Sequence, residues 1–91
     1  MAIIFKQTEC MICGEPLGNA EYIATSHFIS DRNDPLYPFS DAGMHYACFQ
    51  GWSNREAFVS KFNSIAGKNI WPNGTRHVMC SDGKIQIVQD L

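Results

Sequence analysis

The chain has 91 residues, 45% of them apolar and 12% aromatic, with seven Lys/Arg against nine Asp/Glu and a formal charge of −2. At this length one domain, residues 1–91, is the expectation, and it buries only about 60 to 65% of the surface exposed on unfolding, so a purely hydrophobic core is close to marginal. The slightly acidic balance excludes the basic excess of a nucleic-acid sleeve or a membrane-surface helix. The opening residues, Met1 to Glu9, show no basic stretch followed by an apolar run, and nowhere is there an apolar run of about 20. The expectation is a cytoplasmic protein with no membrane partner, whose four cysteines serve as metal ligands, catalytic groups or core filler in preference to disulfides.

In chain order, Ile3-Ile4-Phe5 reads as a short strand leading into the turn at Cys10-Met11-Ile12-Cys13-Gly14. Ala20 to Ile29 is rich in β-branched and aromatic residues and reads as a strand covered on both faces. Ser30 to Pro35 is a polar loop, and Leu36-Tyr37-Pro38-Phe39 an extended approach, because Pro38 removes a donor and biases Tyr37 away from helix. Ser40 or Asp41 caps a helix reaching Gln50, stopped by Gly51. A second, amphipathic helix occupies 53–66: Ser53 and Glu56 have the spacing of a capping box, and Phe58, Phe62 and Ile65 recur on one face. Residues 69–90 read as a β meander. Asn73-Gly74 makes one turn and Asp82-Gly83 another, the latter as a two-residue hairpin loop that pairs Cys80 with Ile85 and Val78 with Ile87 and gives Cys80 a core position.

Chemistry concentrates in Cys10-x2-Cys13 and, after 31 intervening residues, His45-x2-Cys48. A CxxC on a glycine turn aims two sulfurs at one point, and residues three apart at a helix start share a face, so the two pairs can close on one tetrahedral ion. Three sulfurs and one imidazole form the closed ligand set of a single structural zinc; a catalytic zinc keeps a position open, and iron prefers four sulfurs. A redox-active CxxC would need to open a helix, which Gly14 and Pro16 oppose. His27 is the alternative fourth ligand, or a support for His45.

Cys-x-x-Cys-Gly, a hairpin, then His45-Tyr46-Ala47-Cys48-Phe49 resembles the treble-clef zinc finger, and the second pair is similar to that of LIM-type fingers. The likeness spans residues 9–52. It departs from the LIM pattern in the long interval between pairs and in the lack of a second zinc module. It implies a zinc-stabilised scaffold of the kind used to bind another protein. The fold class expected is therefore a small α+β domain, with a treble-clef-like zinc-binding half, two helices and a C-terminal β meander.

Outside the cluster, Phe39, Tyr46, Phe49 and Trp52 are expected in the core, Cys80 as a buried small apolar group, and His77 in a structural or exposed place. Tyr37 and Trp71 have proline neighbours and are the candidates for a protein-binding patch. The leading reading is a non-enzymatic module with a protein partner or a second copy of itself, and no small-molecule substrate. The alternatives are a nucleic-acid-binding finger, which requires Arg55, Arg76 and Lys84 to gather, and a metal-dependent nuclease or hydrolase, which requires His27 beside Asp31 or Asp34.

Overall fold

The computed structural model describes residues 4–89. The chain divides into two compact units, one ending at Trp52 and one beginning at Ser53. Together their described residues contain two α-helices and two separate two-stranded antiparallel sheets, an α+β make-up. None of these helices is long and apolar enough to cross a membrane.

In the first unit the chain doubles back before any regular strand begins. The Leu17 amide donates to Thr8 O at 2.8 Å, Glu9 bridges Pro16, and the Cys10 amide donates to Glu15 O at 2.7 Å. Gly14 closes this loop at φ +80, a left-handed conformation that a Cβ would strain. Of the expected strand at Ile3 to Phe5, Ile3 lies outside the described residues, and Ile4 and Phe5 are not in a strand. Strand β1 covers Tyr22–Ala24 and pairs with β2, Gly43–His45, in the register Tyr22 to His45, Ile23 to Met44 and Ala24 to Gly43. Helix α1, Tyr46–Gln50, follows β2 without a loop. Cys10, Leu17, Ile23, Ile29, Leu36, Met44 and Phe49 are buried and make the apolar core of this unit.

Two expectations change here. The long strand over Ala20 to Ile29 shortens to three residues, because β2 offers only three partners. The helix expected from Ser40 or Asp41 begins only at Tyr46: Tyr37–Phe39 forms a 3-10 turn, Asp41 takes φ +60, and Gly43–His45 pairs with β1. Sheet pairing with a distant segment overrides a local helix signal. Phe49 is fully buried, while Phe39, Tyr46 and Trp52 are half-buried; Trp52 packs on Phe39 and Phe49, with ring centroids 4.5 and 5.8 Å away.

In the second unit, helix α2 covers Arg55–Ile65 and continues into a 3-10 turn at Ala66–Lys68. Its N-cap is Asn54 with no side-chain cap bond, one residue after Ser53, so the expected capping box does not form. Phe58 and Phe62 are buried as the spacing requires, whereas Ile65 is exposed at the helix end. Of the β meander expected over residues 69–90, strands β3, Thr75–Met79, and β4, Ile85–Gln89, form a two-stranded hairpin; residue 90 lies outside the described residues.

The hairpin register also differs from expectation. Met79 faces Ile85 and His77 faces Ile87. The Gly83 amide donates to Cys80 O at 2.9 Å, the Cys80 amide to Lys84 O at 2.8 Å, and Gly83 alone in the turn has positive φ. These are the marks of a three-residue loop with a glycine bulge, not a two-residue loop with two left-handed residues. One extra loop residue moves β3 by one position and turns every side chain over. Met79 is therefore buried and Cys80 exposed, the reverse of the sequence expectation. Asn63 of α2 locks this arrangement: Met79 N donates to Asn63 Oδ1 at 2.8 Å, and Asn63 Nδ2 donates to Met79 O at 3.0 Å.

Candidate metal centre

The doubled-back loop, β2 and the first turn of α1 bring Cys10, Cys13, His45 and Cys48 together, with one ligand atom from each lying within 4.8 Å of every other. Among the described residues this is the one group of three or more His, Cys, Asp or Glu side chains placed to hold a metal ion. Cys10 is buried, His45 and Cys48 are half-buried and Cys13 is exposed, so the cluster sits at the border between core and surface. His45 is the N-cap of α1, not an interior helical residue as expected; Cys48 follows one turn later on the same side.

The imidazole is oriented by its far nitrogen. Nε2 lies 3.0 Å from Pro16 O, and a carbonyl can only accept, so Nε2 carries the proton and Nδ1 presents its lone pair. Nδ1 faces the sulfurs, 3.4 Å from Cys13 Sγ and 3.7 Å from Cys48 Sγ. Pro16 contributes only a backbone carbonyl, and no side-chain type in the sequence marks it.

The sulfurs are electrostatically unequal. Burial pushes the Cys10 thiol up, but backbone amides of Cys13, His45 and Ile12, with a smaller contribution from the Cys13 side chain, outweigh it and hold the group down at about 6 against 9.0. One of these donors is the His45 amide, 3.3 Å from the sulfur. Burial and the neighbouring Cys13 and Cys10 sulfurs push Cys48 up to about 11. Three sulfurs this close repel one another as thiolates, and a divalent cation among them removes that penalty. The donor set thus fits a single metal ion, with amide groups already aimed at one of its sulfurs.

The other sequence candidates do not join a site. His27 is exposed and meets Tyr37 edge-on, ring centroids 5.6 Å apart, so it is not one of the four clustered ligands. Asp31 Oδ1 accepts from Asn33 N and Asp34 Oδ1 from Leu36 N, both at 2.9 Å, so these carboxylates cap turns. Tyr37 is half-buried, and Trp71 is exposed and stacks on His77 at 5.0 Å. Arg76 Nη1 donates to Gly67 O at 3.1 Å.

No protein-family model matches this chain, and neither a curated protein nor a solved structure is similar to it. The site is therefore read from its own chemistry.

Proposed function

We propose that the chain is a non-enzymatic module in which one structural zinc, held by Cys10, Cys13, His45 and Cys48, supports a surface that binds protein. The observation that carries the reading is the donor set: three sulfurs and an imidazole nitrogen converge, the four-ligand number of a closed structural zinc site. A tetrahedral zinc with bonds of about 2.3 Å to sulfur and about 2.05 Å to nitrogen sets sulfur–nitrogen edges of about 3.6 Å. The distances of 3.4 and 3.7 Å from His45 Nδ1 bracket that value. The order of the doubled-back CxxC loop, the β1–β2 pair and the short helix carrying Cys48 supports the treble-clef-like reading.

Trp71, 51% exposed, is one candidate aromatic contact for a partner, and the half-buried Tyr37 is a separate one in the other unit. Elemental analysis of the reduced protein tests the metal, with about one zinc per chain expected. Retention of a protein partner or a second copy, weakened by Trp71→Ser without loss of zinc, tests the surface. A protein without zinc, or one that retains a specific nucleic acid and no protein, overturns the reading.

A further inference from the structure

The four clustered residues differ in how far solvent reaches them. Cys10 is 1% exposed, and His45 and Cys48 are half-buried, but Cys13 is exposed, with its sulfur within 4.8 Å of the other ligand atoms. Oxidation of a cysteine follows its thiolate character and its exposure, and a second thiol at hand turns the product into a disulfide. A sulfur that holds zinc is a thiolate, because a ligating thiol is deprotonated outright. The pair therefore needs no helix start to be reactive. Gly14 and Pro16 oppose the helix of a catalytic dithiol without opposing this chemistry.

Backbone geometry selects Cys10 as the partner of Cys13. The Gly14 amide donates to Cys10 O at 2.8 Å, and none of residues 11–13 has a positive φ, so residues 10–14 form one right-handed helical turn that goes no further. Such a turn sets Cα atoms three positions apart about 5 Å from each other, inside the range of about 4.4 to 6.8 Å that a disulfide spans. Cys48 stands on a different element, helix α1. The Cys10 sulfur is held in place by the His45 amide at 3.3 Å, whereas the Cys13 side chain, open to solvent, can rotate towards it.

We propose that the cluster is a peroxide-sensitive switch: Cys13 is oxidised first and closes on Cys10 as a disulfide, which releases the zinc. The inference rests on the zinc reading above and adds its regulation. The Cys13 thiolate attacks one oxygen of hydrogen peroxide; the S–O bond forms, the O–O bond breaks, and hydroxide leaves behind a sulfenic acid. The Cys10 thiolate then attacks the Cys13 sulfur, forming the S–S bond and expelling the second hydroxide. Two thiolates give two electrons to one peroxide, and solvent protonates both hydroxides to water. His45 and Cys48 are then left with half of a tetrahedral ligand set. The turn itself persists, because the bonds from Leu17 N to Thr8 O and from Cys10 N to Glu15 O close it without a metal. Helix α1 loses its tether, and its five residues fall well short of the roughly 12 to 15 that a free-standing helix needs.

Hydrogen peroxide added to the reduced, zinc-loaded full chain, with a chromophoric chelator present, tests the proposal. The bound zinc should be released, peptide mapping should find a disulfide joining Cys10 to Cys13, and a reducing dithiol with added zinc should restore the loaded form. Cys80→Ala removes the other exposed thiol and should release zinc at an unchanged rate, one zinc for each peroxide consumed. On that loaded variant, limiting maleimide should label Cys13 before Cys48 and Cys10, a readout that needs no change to a ligand. Zinc retained under peroxide, release without a Cys10–Cys13 bond, or first labelling at Cys48 overturns the switch and leaves the structural zinc standing. A chain that holds no zinc before the oxidant is added overturns the switch together with the reading beneath it.

Discussion

At the level of single residues, the four clustered Cys and His residues are legible in the sequence because thiol and imidazole are chemically distinctive and their spacing is local within each pair. What orients them is not legible, since the Pro16 carbonyl and the amides of Ile12, Cys13 and His45 are backbone groups that every sequence carries. Their effect has a pH signature in the metal-free, reduced chain. Cys10, lowered from 9.0 to about 6, contributes stability that is fully present above pH 9 and is lost as the pH falls through about 6. Cys48, raised to about 11, contributes stability present below pH 9 and lost as the pH rises through about 11. Together the two place their combined maximum near pH 9. Urea unfolding across pH 6 to 9 in the presence of a chelator should show stability rising, and Cys10→Ser should flatten that rise; an equal slope in the two proteins contradicts the amide account. Cys80 is a contrasting case, exposed and outside the cluster. Cys80→Ala should therefore change stability by no more than about 0.5 kcal/mol and leave the zinc content intact, as denaturation and metal analysis of the same sample will show.

For whole elements, legibility follows how local the determining interaction is. The buried stripe of Phe58 and Phe62 on α2 can be read from spacing alone, because both residues answer to the same helical period. The β1–β2 sheet cannot, since Tyr22 and His45 meet across 23 positions and the segment between them carries its own helix signal. The hairpin fails for a subtler reason: Asp82-Gly83 is compatible with two loops, and only the position of Gly83 as a bulge, with Asp82 Oδ1 accepting from Lys84 N at 3.1 Å, decides between them. Asn63 then matches the chosen register, acting as a substitute strand against both backbone groups of buried Met79. Asn63→Ala leaves an N–H and a C=O unpaired beside a buried side chain, and should cost about 1 to 3 kcal/mol. Hydrogen exchange at the Met79 amide should accelerate by the corresponding factor. Unchanged exchange there would mean that Asn63 does not hold the register.

For the molecule as a whole, the proposed zinc matters because the apolar core is small. The unit ending at Trp52 buries Cys10 itself among its core side chains, so the cysteine loop belongs to the core as well as to the Cys/His cluster. Anything that binds the folded state alone stabilises it by RT ln(1 + [L]/Kd), which grows by about 1.4 kcal/mol for each tenfold rise in free ligand above Kd. Unfolding of the reduced full chain in buffers that fix free zinc at successive tenfold steps should show that increment in the signals of Phe49 and Trp52, which lie in the unit that holds the Cys/His cluster. Cys13→Ser removes one of the three sulfurs and should flatten the dependence, whereas Cys80→Ala should preserve it. The comparison separates a zinc that is part of the fold from one attached to its surface. Coupling to the fold requires the free-zinc slope at Phe49 and Trp52; a stoichiometric zinc that leaves their unfolding unmoved would be bound outside the element that α1 and the cysteine loop build.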